Sequence, residues 1–204
     1  MKYSVKSYPV TGSAREVYIL MPMEVDGLDE LASEFGVNIV AVLVEDWDNA
    51  LTPWPAKGVF PGDAPFAGNA AETLRELREE VLDPTKTRQL IGISLSGLFA
   101  VWAWMQGEDF RDIASISGSF WYDGFPEWLA GPGHRAKSGF AYLSLGDKEG
   151  QTRIPRYKPV VRCTAEVEAT LRSDGARVEF ESVPGTHFAP MLPRLRKALA
   201  ALPD

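Results

Sequence analysis

The sequence predicts a three-layer α/β/α sandwich with a mostly parallel, doubly wound sheet. Apolar strand-like segments alternate with amphipathic helix-like segments along the chain, and no internal repeat or linker divides its 204 residues. Several of the strand-like segments are apolar at every position, which is typical of parallel strands covered on both faces. Alternation of this kind implies βαβ crossovers with helices on both sides of the sheet. We therefore expect residues 1–204 to form one compact α/β domain.

The first part of the chain contains two predicted strands with a helix between them. Residues 17–21 are apolar and are followed by Pro22, which favours a buried strand that ends there. Apolar residues at positions 28, 31 and 35 share one face of a helix that ends at Gly36. Asn38–Val44 is continuously apolar after its first residue and rich in β-branched side chains, as expected of a central parallel strand.

A long segment, residues 45–69, is rich in Pro, Gly, Trp and Asp and interrupts this alternation. Irregular segments of this length inside a compact domain are uncommon and are often functional. The helix that follows carries apolar residues at positions 70, 74, 77 and 81, and its many charged residues form a solvated face. Asp83-Pro84 ends this helix.

The middle of the chain continues the pattern with three predicted strands, over residues 89–93, 112–117 and 140–145. Residues 96–105 form a predicted helix that is apolar almost all round, so we expect it to be deeply buried.

The last part of the chain contains two predicted helices with a strand between them. The first helix begins at Val160 and is closed by Ser173-Asp174-Gly175. Residues 177–181 alternate cleanly, which suits a half-exposed edge strand. The final helix has leucines at positions 192, 195 and 199 on its inner side, and we expect Arg194, Arg196 and Lys197 on its outer side.

Composition narrows the classes of partner and cofactor. A formal net charge of −7 argues against a broad nucleic-acid-binding surface. Residues 1–9 contain no apolar signal-peptide core, and no apolar run approaches the roughly 20 residues that span a bilayer. Cys163 is the single cysteine, and His134 and His187 are the two histidines, so we expect neither an internal disulfide nor a metal site. We predict a cytoplasmic protein, and the sequence leaves a homo-oligomer open.

The segment "LIGISLSGLFA", residues 90–100, places Ser94 between a predicted strand and the buried helix. A serine hydroxyl becomes a useful nucleophile when a sharp strand–turn–helix junction exposes it and a base removes its proton. Such a junction needs small residues two positions away on either side, and Gly92 and Ser96 meet this requirement as G-x-S-x-S. The pattern also occurs by chance at ordinary junctions, and the strand–helix context favours the nucleophile.

Candidate partners of Ser94 follow in the order that this architecture requires, acid first and then histidine. His187 lies in "PGTHF" after the last predicted strand, whereas His134 precedes the acids and is interpreted as a solvated loop residue. Asp147 and Glu149 both follow the strand at 140–145, and Glu149, three residues after Gly146, is favoured. Either acid also fits a merely polar strand end, and a serine–histidine pair without a strong acid stays open.

The segments "GISLSGLFA", "LSLGDKEGQTRIP" and "PGTHFAP" resemble the α/β-hydrolase superfamily, in its esterase-D-like and ferric-enterobactin-esterase-like branch. The segment "VEDWDNALTPWPA" is similar to a loop of small bacterial members described only as hydrolases. The resemblance extends from about Val17 to the C-terminus. It implies Ser94 as the nucleophile, His187 as the base and the Leu95 backbone N–H as an oxyanion donor.

The resemblance places the second oxyanion donor around Met23. Here the sequence departs from the usual His-Gly or Asp-Gly pattern and has Met21-Pro22-Met23-Glu24, in which Pro22 has no N–H to donate. The chain is also short for the superfamily, which implies that the first antiparallel strands and any cap domain are reduced or missing.

The implied reaction is hydrolysis of a small carboxylic ester through an acyl-enzyme, with no metal or organic cofactor. Trp47, Trp54 and Phe60 of the long loop, and Trp121 in residues 120–125, follow strand ends and suit the wall of an aryl- or acyl-binding pocket. The same aromatics also suit closure of the core beneath loops. A siderophore ester is one substrate by family analogy, although fold does not fix substrate. The alternatives are a serine-dependent acyltransferase and a non-catalytic binding protein with the same fold.

Overall fold

Strands and helices alternate through the computed structural model, which describes residues 3–132 and 137–204. The strands in these ranges are β1 (Tyr3–Tyr8), β2 (Arg15–Met21), β3 (Asn38–Val44), β4 (Thr87–Ile93), β5 (Asp112–Ile116), β6 (Phe140–Gly146) and β7 (Arg177–Val183). The helices are α1 (Leu28–Phe35), α2 (Trp47–Ala50), α3 (Ala70–Glu80), α4 (Leu95–Gln106), α5 (Phe125–Leu129), α6 (Val160–Ser173) and α7 (Met191–Ala201). Two short 3₁₀ turns, Glu149–Gln151 and Pro155–Tyr157, lie between β6 and α6.

The strands form one sheet in the order β1-β3-β2-β4-β5-β6-β7. β1 pairs antiparallel with β3, and every other neighbouring pair is parallel. β2 sits between β3 and β4, so that Ile19 lies between Ala41 and Ile91. After β2 the chain adds β3 on one side of β2 and then adds β4 to β7 on the other side, so the order of strand addition switches beside β2. In doubly wound sheets, ligands bind at the carboxyl ends of the strands at such a switch point.

Helices cover both faces of the sheet, as the sequence predicts. α1 and α7 pack on one face, and α3, α4 and α6 pack on the other. Successive residues of β2 show why the strand is apolar throughout: Tyr18 and Leu20 join one core, whereas Ile19 joins the other. All three side chains are completely buried. The three-layer, mostly parallel architecture is confirmed.

The deep burial predicted for the helix after β4 is also confirmed. Every residue from Leu95 to Met105 is buried in α4, including the large indole of Trp104. Full burial of one large apolar side chain contributes about 1.5–3 kcal/mol, so this helix supplies a large share of the hydrophobic stabilisation. None of the helices in the described ranges is long and apolar enough to cross a membrane.

Three features differ from the sequence-based expectations or refine them. β1 was not predicted, because its alternating residues are mostly exposed on an edge strand. It is the antiparallel strand that remains where the resemblance implied reduction. The segment 45–69 is mostly irregular, as predicted, and contains the short helix α2 and an isolated bridge between Ala56 and Phe66. β7 is an edge strand, as predicted, and extends to Val183.

The turn between β4 and α4 lies at the carboxyl edge of the sheet and is closely packed. Ser94 has φ 60° and ψ −120°, a backbone conformation that residues with a side chain rarely adopt. A Cβ atom on Gly92 would lie 1.9 Å from the Ser96 carbonyl oxygen, so only glycine fits there. The buried Ser96 hydroxyl accepts the Ile93 N–H at 2.6 Å and lies 2.8 Å from the Leu20 carbonyl oxygen. These contacts fix the start of α4 on the end of β4.

Gly92→Ala should destabilise the protein by about 3 kcal/mol or more, because the new methyl group meets backbone atoms that side-chain rotation cannot move. The matched control is Gly107→Ala at the end of α4, where φ is 176° and the nearest atoms are the ends of flexible side chains. We expect that control to change the free energy of unfolding by less than about 1 kcal/mol. Urea denaturation of both variants measures the difference, and equal stabilities would contradict this account of the turn.

Candidate active site

Three loops bring a serine, an acid and a histidine to the carboxyl edge of the sheet. Ser94 follows β4, Glu149 lies in the 3₁₀ turn after β6, and His187 lies in the turn after β7. The carboxyl ends of parallel strands share one edge, so residues 38 and 93 positions apart in sequence become neighbours. The strained backbone at Ser94 turns its hydroxyl toward the histidine.

These three side chains form a continuous hydrogen-bonded chain. The Ser94 Oγ lies 3.0 Å from His187 Nε2, and His187 Nδ1 lies 2.9 Å from Glu149 Oε2. Both distances lie within the range for hydrogen bonds between a nucleophile, a base and the group that orients the base. An imidazole that donates Nδ1–H to Glu149 leaves Nε2 free to accept the Ser94 proton.

Glu149 is buried, and its carboxylate accepts hydrogen bonds that stabilise its negative charge. Its Oε1 accepts the Gly146 N–H at 2.8 Å and the hydroxyl of Ser117, while Oε2 faces His187. Burial raises the pKa of Glu149, but hydrogen bonds from His187, Ser117 and Gly146 outweigh it, so the pKa lies below its ordinary value. The carboxylate is therefore ionised at neutral pH, as a group that orients an imidazole and stabilises its charged form must be.

Asp147 has a different position and different contacts. Its Oδ1 accepts the Gly185 N–H at 2.8 Å, and its own N–H donates to the Val183 carbonyl at 2.8 Å. These bonds hold the end of β7 and the turn that carries His187. The contact to the imidazole comes from Glu149, the acid that the sequence analysis favoured.

Two side chains next to the hydrogen-bonded Ser94, His187 and Glu149 were not among the predicted site residues. Ser117 has φ 49°, and its hydroxyl donates to Glu149. Ser119 is buried, and its Oγ lies 3.3 Å from the Ser94 Oγ. The available signal was the run of small residues Ser117-Gly118-Ser119 at the carboxyl end of a predicted strand. Such a run allows loops to approach closely at that edge.

The prediction that Arg194 lies on the outer side of the last helix is wrong. The Arg194 side chain is 7% exposed, and its guanidinium reaches under the turn that carries His187. Helical periodicity assigns charged residues to the solvated face, but a buried cation is stable where a buried carboxylate faces it. Glu149, with its Oε1 3.7 Å from Arg194 Nη2, is that carboxylate.

A cavity of about 620 Å³ opens beside Ser94 and His187. Its walls include the predicted Trp47 and Trp121 together with Tyr157. Trp121 and Tyr157 pack against each other, with ring centroids 4.7 Å apart. Phe188 also lines the cavity and is 89% exposed, so the opening next to His187 has an apolar edge.

Trp54 is not among the residues that line this cavity, so its assignment to the pocket wall is corrected. Its indole packs against Phe125 and Trp128, and its Nε1–H donates to the Asp123 carbonyl at 2.8 Å. Trp54 therefore closes the core beneath loops, which was the alternative for these aromatics. Phe60, 53% exposed, is also absent from the cavity wall.

The two predicted oxyanion donors occupy different settings. Leu95 is the first residue of α4 and lines the cavity, and the first backbone N–H groups of a helix have no partner within it. Met23 follows β2, its side chain is 63% exposed, and it is not among the residues that line the cavity.

The described residues contain no group of three His, Cys, Asp or Glu side chains that could hold a metal ion. His134 lies outside the described residues.

Sequence comparison finds similarity to a protein that is named as uncharacterized. No protein-family model matches. The chain is 24% identical over 148 residues to the uncharacterized protein YbbA of Bacillus subtilis (strain 168), a match that spans 67% of this chain and 59% of YbbA. The chain therefore aligns with less than two thirds of that relative.

Structural comparison finds neighbours over 97% of the chain. The IroE-like serine hydrolase from Shewanella oneidensis superposes with a TM-score of 0.72 and 18% identity over 73% of its own length. The siderophore hydrolase EstB from Aspergillus nidulans gives 0.70 and 18% over 89%, and the enterobactin and salmochelin hydrolase IroE gives 0.66 and 21% over 87%. The neighbours include siderophore and enterobactin hydrolases, and they show the fold that the predicted resemblance implied. The chain has the α/β-hydrolase fold.

Proposed function

We propose that this chain is a serine hydrolase that cleaves carboxylic esters through an acyl-enzyme on Ser94. The observation that carries the proposal is the hydrogen-bonded chain Ser94–His187–Glu149 at the wall of the cavity. Esterases and serine hydrolases among the structural neighbours support the same class of reaction. A binding protein would need neither a strained backbone at Ser94 nor a buried acid behind His187.

The first half of the reaction follows from the hydrogen bonds. Ser94 Oγ attacks the ester carbonyl carbon while His187 Nε2 takes the hydroxyl proton. Glu149 holds the proton on Nδ1 and stabilises the imidazolium that forms. His187 then gives the proton to the leaving alcohol oxygen, and Ser94 is left as an acyl ester.

Backbone N–H groups stabilise the negative charge on the tetrahedral intermediate. We assign the first donor to the Leu95 N–H, because Leu95 is the first residue of α4 and the N-terminus of that helix adds the favourable end of its dipole. The second donor is assigned to the Met23 backbone on the resemblance alone, since Met23 follows β2 and is not among the residues that line the cavity. In the second half-reaction, His187 removes a proton from water, the water oxygen attacks the acyl carbon, and Ser94 leaves with the proton.

The cavity supports an ester with an apolar acyl or aryl group. Trp47, Trp121 and Tyr157 offer flat apolar surfaces beside the nucleophile, and pockets that bind small molecules are lined mainly by such side chains. EstB is named as a siderophore hydrolase and IroE as an enterobactin and salmochelin hydrolase, so siderophore esters belong in a substrate panel beside simple aryl and acyl esters.

Ser94→Ala should abolish labelling by a fluorophosphonate probe and lower the hydrolysis of p-nitrophenyl acetate by about 1,000-fold or more, since no other side chain replaces the nucleophile. The matched control, Ser182→Ala at an exposed position of β7, should keep wild-type rates. The proposal would be contradicted if the probe did not label the wild-type protein and if the wild-type protein hydrolysed short p-nitrophenyl esters no faster than Ser94→Ala.

Glu149→Gln should lower kcat by about 100-fold or more, whereas Asp147→Asn should change it less than about threefold. The glutamine amide would donate to Nδ1, so the imidazole would keep its proton on Nε2 and could no longer accept from Ser94. Asparagine at 147 keeps an oxygen for the Gly185 N–H. Steady-state kinetics on p-nitrophenyl acetate decide between the acids, and the reverse ranking would transfer the role to Asp147.

Trp121→Leu should reduce kcat/KM for p-nitrophenyl hexanoate about tenfold more than for p-nitrophenyl acetate, because only the longer chain reaches the aromatic wall. The ratio of the two substrates cancels any general loss of folded enzyme. A ratio equal to that of the wild-type protein would remove Trp121 from the acyl-binding surface.

A further inference from the structure

Arg194 is a buried cation that the reaction steps above do not use. It lies on α7, seven residues after His187 in sequence, and its side chain is 7% exposed. Full removal of a guanidinium from water is costly unless a charged partner and hydrogen bonds compensate it. Its contacts therefore indicate what this arginine stabilises.

The guanidinium contacts both the acid side and the base side of the catalytic chain. Nη1 donates to the backbone carbonyl of His187 at 3.3 Å. Nη2 donates to the Ser117 hydroxyl and lies 3.7 Å from Glu149 Oε1, and Ser117 itself donates to that same carboxylate oxygen. Among the described residues, Nε has no hydrogen-bond partner. One planar group thus joins three loops that follow three different strands.

We propose that Arg194 is a positioning residue that locks Glu149 and the backbone of His187 in the arrangement in which the imidazole meets Ser94. The inference rests on the proposed esterase function, because a positioned base matters only if Ser94 reacts. A planar fork with several donors suits this task, since it constrains direction as well as distance.

The same guanidinium also limits how strongly Glu149 attracts a proton on His187. Glu149 and Tyr142 are the titratable groups that act on Arg194, and Lys148 lines the nearby cavity. Burial lowers the pKa of Arg194 and attraction to Glu149 opposes that change, and arginine stays charged throughout the working range. Without this charge, His187 would be the one cationic partner that the described residues leave beside the Glu149 carboxylate, which favours the protonated imidazole.

The first test is Arg194→Met, which keeps the volume of the side chain and removes its charge and donors. We expect kcat on p-nitrophenyl acetate to fall about 10- to 100-fold with KM changed less than about threefold, as for a slightly misplaced base. The acidic limb of the kcat/KM profile should move to higher pH by about half a unit or more. A folded variant with wild-type kcat and an unmoved profile would overturn the proposal.

Two further variants separate positioning from charge and from general damage. Arg194→Lys keeps the charge but contacts one partner at a time, so the acidic limb should stay in place while kcat falls about fivefold or more. If Arg194→Met does not fold, Arg194→Lys carries the test, and wild-type kcat in it overturns the proposal. The matched control is Arg196→Met. Arg196 lies on α7, like Arg194, but it is exposed and pairs with Glu34 of α1, so its removal should leave both readouts unchanged.

A titration by NMR tests the inference without any turnover. The midpoint of the His187 ring titration should rise in Arg194→Met and stay at the wild-type value in Arg196→Met, with His134→Asn used to assign the two histidine signals. An unchanged midpoint in Arg194→Met would contradict the electrostatic role. If the wild-type protein hydrolyses no ester but the midpoint still rises, the proposed function fails while the coupling of Arg194 to His187 stands.

Discussion

The candidate site depends on the left-handed backbone at Ser94. A residue with a side chain adopts φ 60° and ψ −120° at a cost of about 1–3 kcal/mol, and such strain persists only where the surroundings impose it. Here the missing side chain of Gly92 lets the Ser96 carbonyl approach, and the buried Ser96 hydroxyl bonds to β4 and lies next to β2. These contacts fix the direction of the deeply buried helix α4, and the Ser94 hydroxyl lies at the carboxyl edge of the sheet.

The second constraint is a balance of buried charges behind His187. Glu149 and Arg194 are both almost fully buried, and each would be costly alone. Together with Ser117 and the Gly146 N–H, they form a connected polar cluster that ends at the imidazole. Such a cluster is rigid because each member loses a partner if another moves. We infer that this rigidity, added to the strained serine, prepares the site for the proposed ester cleavage before a substrate arrives.

Local sequence patterns were sufficient for most of the fold and for the residues that meet at the edge of the sheet. Apolar periodicity identified the parallel strands and the buried helix. The order serine, acid, histidine pointed to Ser94 and His187 and left two acids, of which Glu149 was favoured by its place after Gly146; the structure joins Ser94, His187 and Glu149 by hydrogen bonds. Arg194 was misplaced because periodicity records polarity, whereas its burial depends on a carboxylate 45 positions away in sequence. Trp54 and Trp121 are alike by local pattern, and only tertiary packing separates the core residue from the cavity wall.

The most direct test of the central claim is a crystal structure of the protein after reaction with an alkyl fluorophosphonate. The account predicts phosphorus bonded to Ser94 Oγ, a phosphoryl oxygen about 3 Å from the Leu95 backbone nitrogen, and the alkyl chain against Trp121 in the cavity. An adduct on any other residue, or a phosphoryl oxygen that faces solvent away from the start of α4, would contradict it.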